Sequence, residues 1–164
     1  MILYLDASAL VKRYVTEPGS LEVAEAINRA EMAGTALVSR AEVAAALAKA
    51  ARVGTLTQEE ALASLRAFRA EWPHAVRVQV TEMVVAQADT LAWEHGLRGY
   101  DAIHLAAAAF WQDALGQPVT MATFPFSRSL IFYSLSFLFK ATNGKAAALR
   151  VLAARQRTPR VPSV

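Results

Sequence analysis

The sequence predicts an α/β fold, a small parallel sheet flanked by helices, and three observations carry that expectation. Short β-type segments alternate with longer helical ones over the first 124 residues. The first strand candidate, "ILYL", is an unbroken apolar run suited to a sheet covered on both faces. Helix start and stop signals fall between the strand candidates, where crossover helices belong.

Taken in order, residues 2–5 read as a buried strand, and 8–15 as a brief helix that "EPG" at 17–19 ends. A second helix is expected from about 20 to 32, and "TALVS" at 35–39 as strand two. "SRAE" at 39–42 has the S-x-x-E spacing of a capping box and opens an alanine-rich helix that runs to Gly54. "TQEE" at 57–60 is a second such box, starting a helix that Pro73 ends. "VRVQV" at 76–80 alternates like strand three, and Thr81 is placed to cap the next helix, to about His95. A further helix is expected from about 100 to 115, and "PVTMAT" at 118–123 as strand four.

Composition narrows the class. A chain of 164 residues suits one compact core, and 55% hydrophobic with 19% charged residues argues against global disorder. The absence of cysteine rules out disulfides and thiolate metal sites and fits a cytoplasmic protein. Asp6, Lys12 and Arg13 spoil the start as a secretion signal. The longest later apolar run, "LIFYSLSFLF" at 130–139, is too short to span a bilayer, so no membrane association is expected.

The net charge of +3 conceals an asymmetry. Residues 1–124 hold all 14 acids against 10 Lys and Arg, whereas the last 40 residues hold 7 basic residues and no acid. Such a tail either attracts nucleic acid electrostatically or is simply a solvated terminus. Past Phe124 the texture also changes, to an aromatic and serine-rich stretch and then a basic, proline-containing end. Residues 1–124 are therefore read as the domain and 125–164 as a divergent basic C-terminal segment, expected to be partly disordered.

Three carboxylates fall at element starts. Asp6 follows strand one, on the rim where open α/β sheets bind ligands, although it would equally cap the helix that follows. Glu42 lies in the first turn after strand two, where the Ser39 capping box offers it a local role. Asp101 lies near the start of the "YDAIHLAAAAF" helix, where the helix dipole favours an acid. Acids gathered on one rim would repel one another without a cation. Oxygen-only ligands suit Mg²⁺ or Mn²⁺.

"YLDASALVKRY", "SRAEVAAALAK" and "LRGYDAIHLAAA", in this order and at these separations, resemble the motifs of PIN-domain ribonucleases, specifically VapC-type toxins of prokaryotic toxin–antitoxin pairs. The resemblance covers about residues 1–124. It implies a metal-dependent endoribonuclease that hydrolyses RNA phosphodiester bonds, an antitoxin partner, and Asp6, Glu42 and Asp101 as acids that hold one or two cations. Ser8 matches a small hydroxyl residue after the first acid. His104, three residues after Asp101, shares its helix face and is either a site residue or a histidine packed against the sheet.

Lys12, Arg13 and Arg98 are candidates for RNA phosphate contacts or ordinary surface charges. Trp93, Phe110 and Trp111 read as core or interface. Alanine and leucine stripes on the helices of residues 20–72 suggest a homodimer or an antitoxin groove.

The resemblance breaks at one place. Where the family continues with a "TFD"-like segment, this chain reads "ATFPF", with Pro125 in place of the fourth acid. The break coincides with the change of texture and charge, as a replaced C-terminus from a reading-frame change would produce. Activity is accordingly expected to be impaired, and the competing reading is a catalytically inactive module that binds an antitoxin or RNA. A phosphatase with Asp6 as nucleophile would want a second aspartate where Ser8 stands, and no Gly-rich turn supports a dinucleotide-binding protein.

Overall fold

The computed structural model describes residues 1–124 and the backbone of 131–134. Five strands form one sheet in the order β3-β2-β1-β4-β5: β1 Ile2–Leu5, β2 Met32–Ala36, β3 Val76–Val78, β4 Val119–Thr123 and β5 Ile131–Ser134. The first four are mutually parallel, as expected. An antiparallel edge strand, β5, pairs Ile131 with Thr123 and extends the sheet beyond the purely parallel arrangement read from the sequence. The other residues of the segment 125–164, including Pro125, lie outside the described residues, and so does the expectation of disorder there.

Among the described residues six α-helices connect the strands: α1 Ala7–Leu10, α2 Ser20–Arg29, α3 Ser39–Arg52, α4 Gln58–Glu71, α5 Glu82–His95 and α6 Gly99–Leu115. Alternate residues of β1 feed two cores. Ile2 and Tyr4 pack with α5 and α6, whereas Leu3 and Leu5 pack with residues of α1, α2, α3 and α4. Every β1 residue is buried, which accounts for the unbroken apolar run. Among the described residues no helix is long and apolar enough to cross a membrane.

Boundaries shift where tertiary pairing overrides local preference. Strand two occupies Met32–Ala36 rather than 35–39, since "MAGTA" is drawn into the ladder from the Ile2–Met32 pair onward despite its poor strand formers. Helix α2 correspondingly stops at Arg29 rather than 32. The brief helix expected at 8–15 is α1 followed by a 3₁₀ turn at Val11–Arg13, and β3 stops at Val78.

Gly34 is required by packing, because a Cβ there would meet the Trp111 ring 2.7 Å away. Trp111 is itself buried against Tyr4, with ring centroids 6.4 Å apart. The Thr57 box forms as read, with the Thr57 hydroxyl accepting from Glu60 N–H while the Glu60 carboxylate accepts from Thr57 N–H.

Two stability changes follow and are read by thermal unfolding. Gly34→Ala should cost about 1–3 kcal/mol by overpacking, a Tm lower by roughly 3–10 °C in a chain of this size. Thr57→Ala should cost about 1 kcal/mol through loss of the cap.

Candidate functional site

The chain passes from β1 to β2 and β3 on one side, then crosses to β4 on the other side of β1. The carboxyl ends of β1 and β4 therefore form the switch point at which open α/β sheets place their ligands. Asp6 and Thr123 stand there, both buried.

Asp6 does cap α1, its Oδ1 accepting from Ala9 N–H at 2.8 Å. That local role is only part of its surroundings. Oδ1 also accepts from the Ser8 hydroxyl at 2.6 Å, and Oδ2 accepts from the Thr123 hydroxyl at 2.5 Å. Ser8 Oγ in turn accepts from Phe124 N–H at 2.9 Å. A carboxylate 3% exposed is costly to bury without such donors, and here they come from the helix it caps and from a strand more than a hundred residues away. Ser8, read from the sequence as a hydroxyl beside the first acid, occupies that place.

The capping box read at Ser39 does not form. Helix α3 begins after Val38 without a side-chain cap. The Thr35 hydroxyl donates to Leu5 C=O at 2.7 Å, leaving the Ser39 hydroxyl to donate to Thr35 at 2.6 Å. Ser39 is thus tied down into the sheet. Glu42 points elsewhere: its Oε2 lies 2.7 Å from His104 Nε2, and His104 Nδ1 lies 2.8 Å from the Tyr4 hydroxyl. His104 is 3% exposed. Burial above all, then the charges of Asp6 and Glu42, push the Tyr4 hydroxyl well above its ordinary range, against a smaller opposing effect of its hydrogen bond with the Ala36 backbone.

Asp101 is half-buried in the first turn of α6, one turn before His104. Because α6 leads into β4, its N-terminus lies toward the carboxyl ends of the strands. Asp6, Glu42 and Asp101 all therefore start elements at one rim, and Tyr4 and His104 join β1, α6 and α3 beneath it. The donor set is oxygen-rich and suits a hard divalent ion in kind. Among the described residues, however, no three His, Asp or Glu side chains stand close enough together to hold a metal as placed.

The basic candidates divide. Lys12 is held within the fold, bonded to Glu17 and Pro18 C=O at 2.9 Å and 4.2 Å from the Phe124 ring centroid. Arg13 is paired with Glu71 at 2.7 Å. Arg98, at the N-cap of α6, is exposed beside the Asp101 turn. Trp111 is core and Phe110 packs against it, but Trp93 is 90% exposed, contrary to a core reading.

Sequence reasoning did not single out Thr123 or Tyr4. A hydroxyl residue ending a strand beside β1 was a usable signal for Thr123. Tyr4 looked like any apolar strand residue, and only the packing of α6 shows its hydroxyl in use.

A family model described as "PIN domain" matches residues 3–111. Two curated relatives from Mycobacterium tuberculosis, ribonuclease VapC45 of strain CDC 1551 / Oshkosh and ribonuclease VapC49 of strain ATCC 25618 / H37Rv, are each 38% identical over 117 residues, covering 71% of this chain and 78% of theirs. Ribonuclease VapC3 of Pyrobaculum aerophilum is 36% identical over 108 residues, covering 66% of this chain and 82% of its own. A solved chain from a toxin–antitoxin complex of Klebsiella pneumoniae aligns over 71% of this chain and 82% of its own, at TM-score 0.49 and 14% identity.

Thr123→Val keeps the strand and removes one donor to the buried Asp6. Loss of a charge-assisted bond of this kind costs about 1.5–3 kcal/mol, so thermal unfolding should show a Tm lower by roughly 4–10 °C.

Proposed function

The chain belongs to the PIN-domain family, and from that premise we propose that it is a divalent-metal-dependent endoribonuclease, the toxin of a toxin–antitoxin pair, in which Asp6, Glu42 and Asp101 are the metal-holding acids. One observation carries the site: three acids from separate elements start at the same sheet rim, with Asp6 buried at the switch point and held by three donors.

Mg²⁺ or Mn²⁺, held there by Asp6, Glu42 and Asp101, would supply Lewis-acid stabilisation of the scissile phosphate and an activated water for in-line attack. The chain's own residues prepare for that chemistry. Ser8, Thr123 and Ala9 N–H keep the Asp6 carboxylate in one orientation, so no reorganisation is needed when it acts. Glu42 and Asp101, in the first turns of α3 and α6, would supply the other carboxylates. Exposed Arg98 is placed for an RNA phosphate next to Asp101, whereas Lys12 and Arg13 are already paired with Glu17 and Glu71.

An antitoxin partner is supported by an open groove of about 450 Å³ on the α1–α4 face, lined by Leu10, Tyr14, Ile27, Phe68 and Trp72 and by the Arg13–Glu71 pair. A homodimer is supported by exposed apolar side chains, among them Met83 and Trp93 on α5. A cytoplasmic location is supported by the lack of cysteine.

Pro125 stands where the family resemblance calls for a fourth acid, and its side chain offers no ligand atom. Turnover is accordingly reduced, and the family resemblance ends near residue 124, although Ile131–Ser134 still joins the sheet as β5. The same substitution favours the second reading, an inactive PIN-fold module that binds an antitoxin or RNA.

Purified protein should cleave RNA with Mn²⁺ and stop on addition of EDTA. Asp6→Asn should lower the rate by roughly 100-fold or more, since metal stabilisation of the transferring phosphate is worth several kcal/mol. Cleavage that persists in EDTA or in Asp6→Asn would refute the mechanism. Calorimetry showing no divalent binding at millimolar levels would instead favour the inactive module.

A further inference from the structure

The buried ring of His104 has both nitrogens engaged, Nδ1 with the Tyr4 hydroxyl and Nε2 with Glu42. The protons along this line have one consistent order. Tyr4 is fully buried at the centre of the sheet, and its hydroxyl lies 2.8 Å from His104 Nδ1. A phenol, with an ordinary pKa of about 10, keeps its proton in such a buried place, so its own O–H has Nδ1 as its acceptor. A neutral imidazole that accepts at Nδ1 carries its proton at Nε2. Nε2–H is then the donor to Glu42 Oε2, a carboxylate, which only accepts.

We propose that Tyr4 and His104 are positioning residues for Glu42: the Tyr4 hydroxyl sets the His104 tautomer, and His104 Nε2–H holds one Glu42 oxygen, which leaves the other for the metal. The inference rests on Glu42 being a metal ligand. It links the middle of β1 to the acid on α3 through the buried His104 ring of α6. A ligand carboxylate fixed by a donor behind it loses less freedom on binding an ion, and removal of such a support typically weakens metal affinity by about 10–100-fold. A histidine serving packing alone would need its nitrogens satisfied, but the proton order would have no consequence for metal binding.

The test combines ring-nitrogen NMR of His104 with calorimetric Mn²⁺ titration of the full chain, each variant checked for its thermal transition. Wild-type protein should show His104 protonated at Nε2 alone, and Tyr4→Phe should lose that single pattern. Tyr4→Phe and His104→Leu should each bind Mn²⁺ about ten-fold or more weakly. His104→Gln, whose side-chain amide can donate near the Nε2 position, should bind close to wild type.

A wild-type ring protonated at Nδ1 overturns the proposal without recourse to any variant. So does unchanged Mn²⁺ affinity in Tyr4→Phe and His104→Leu, or equal loss in the Leu and Gln variants. Glu42→Gln separates the two readings. Wild-type affinity in that variant removes Glu42 as a ligand and the proposal with it, whereas loss there with retention in Tyr4→Phe and His104→Leu overturns the positioning role alone.

Discussion

A carboxylate buried at the carboxyl end of the central strand is the constraint around which this rim is organised. Asp6 lies where β1 gives way to α1, and burial of its charge is tolerable only because donors converge on it. Two of those donors are local, from Ser8 and Ala9. The third, Thr123, arrives through topology, because the chain crosses over to place β4 directly beside β1. Phe124 N–H then bonds to Ser8, so the segment leaving β4 is fastened to the turn leaving β1. These bonds tie β1, α1 and β4 together at the switch point.

The second acid is oriented by a different device. Ser39 has the right spacing to hold Glu42 in a capping box, yet Thr35 takes its hydroxyl, and Thr35 in turn bonds to the β1 carbonyl of Leu5. Helix α3 starts without its side-chain cap, and Glu42 is released to meet His104. The loss of a modest local bond is exchanged for a contact between two helices that pack on opposite faces of the sheet. Parallel strands make the exchange useful: crossover helices begin at the carboxyl edge when they leave a strand there, and α6 begins there because it must run back to the start of β4. Helix starts thus collect at one rim, together with whatever acids their first turns carry.

Much of the fold was legible. Each helix was anticipated, and four strands were found in order, because periodicity, caps and Gly or Pro stops are local properties. The misses share a cause. The register of β2 depends on its neighbours β1 and β3, β5 depends on an edge offered by β4, and Lys12 is drawn in by Glu17, Pro18 and Phe124. The same cause hid Thr123 and Tyr4, whose hydroxyls have no partner within their own elements.

By itself, then, the sequence determined the order of elements and the acids at their starts, since both depend on residues within a few positions of one another. It also determined that the Pro125 side chain brings no ligand atom, because that is a matter of side-chain chemistry alone. The tertiary structure decided which donor each carboxylate meets. Tyr4 with His104, His104 with Glu42, and Thr123 with Asp6 are separated by 100, 62 and 117 residues. No local pattern encodes such partners; they are set by the strand order and by which helix face the two cores bury.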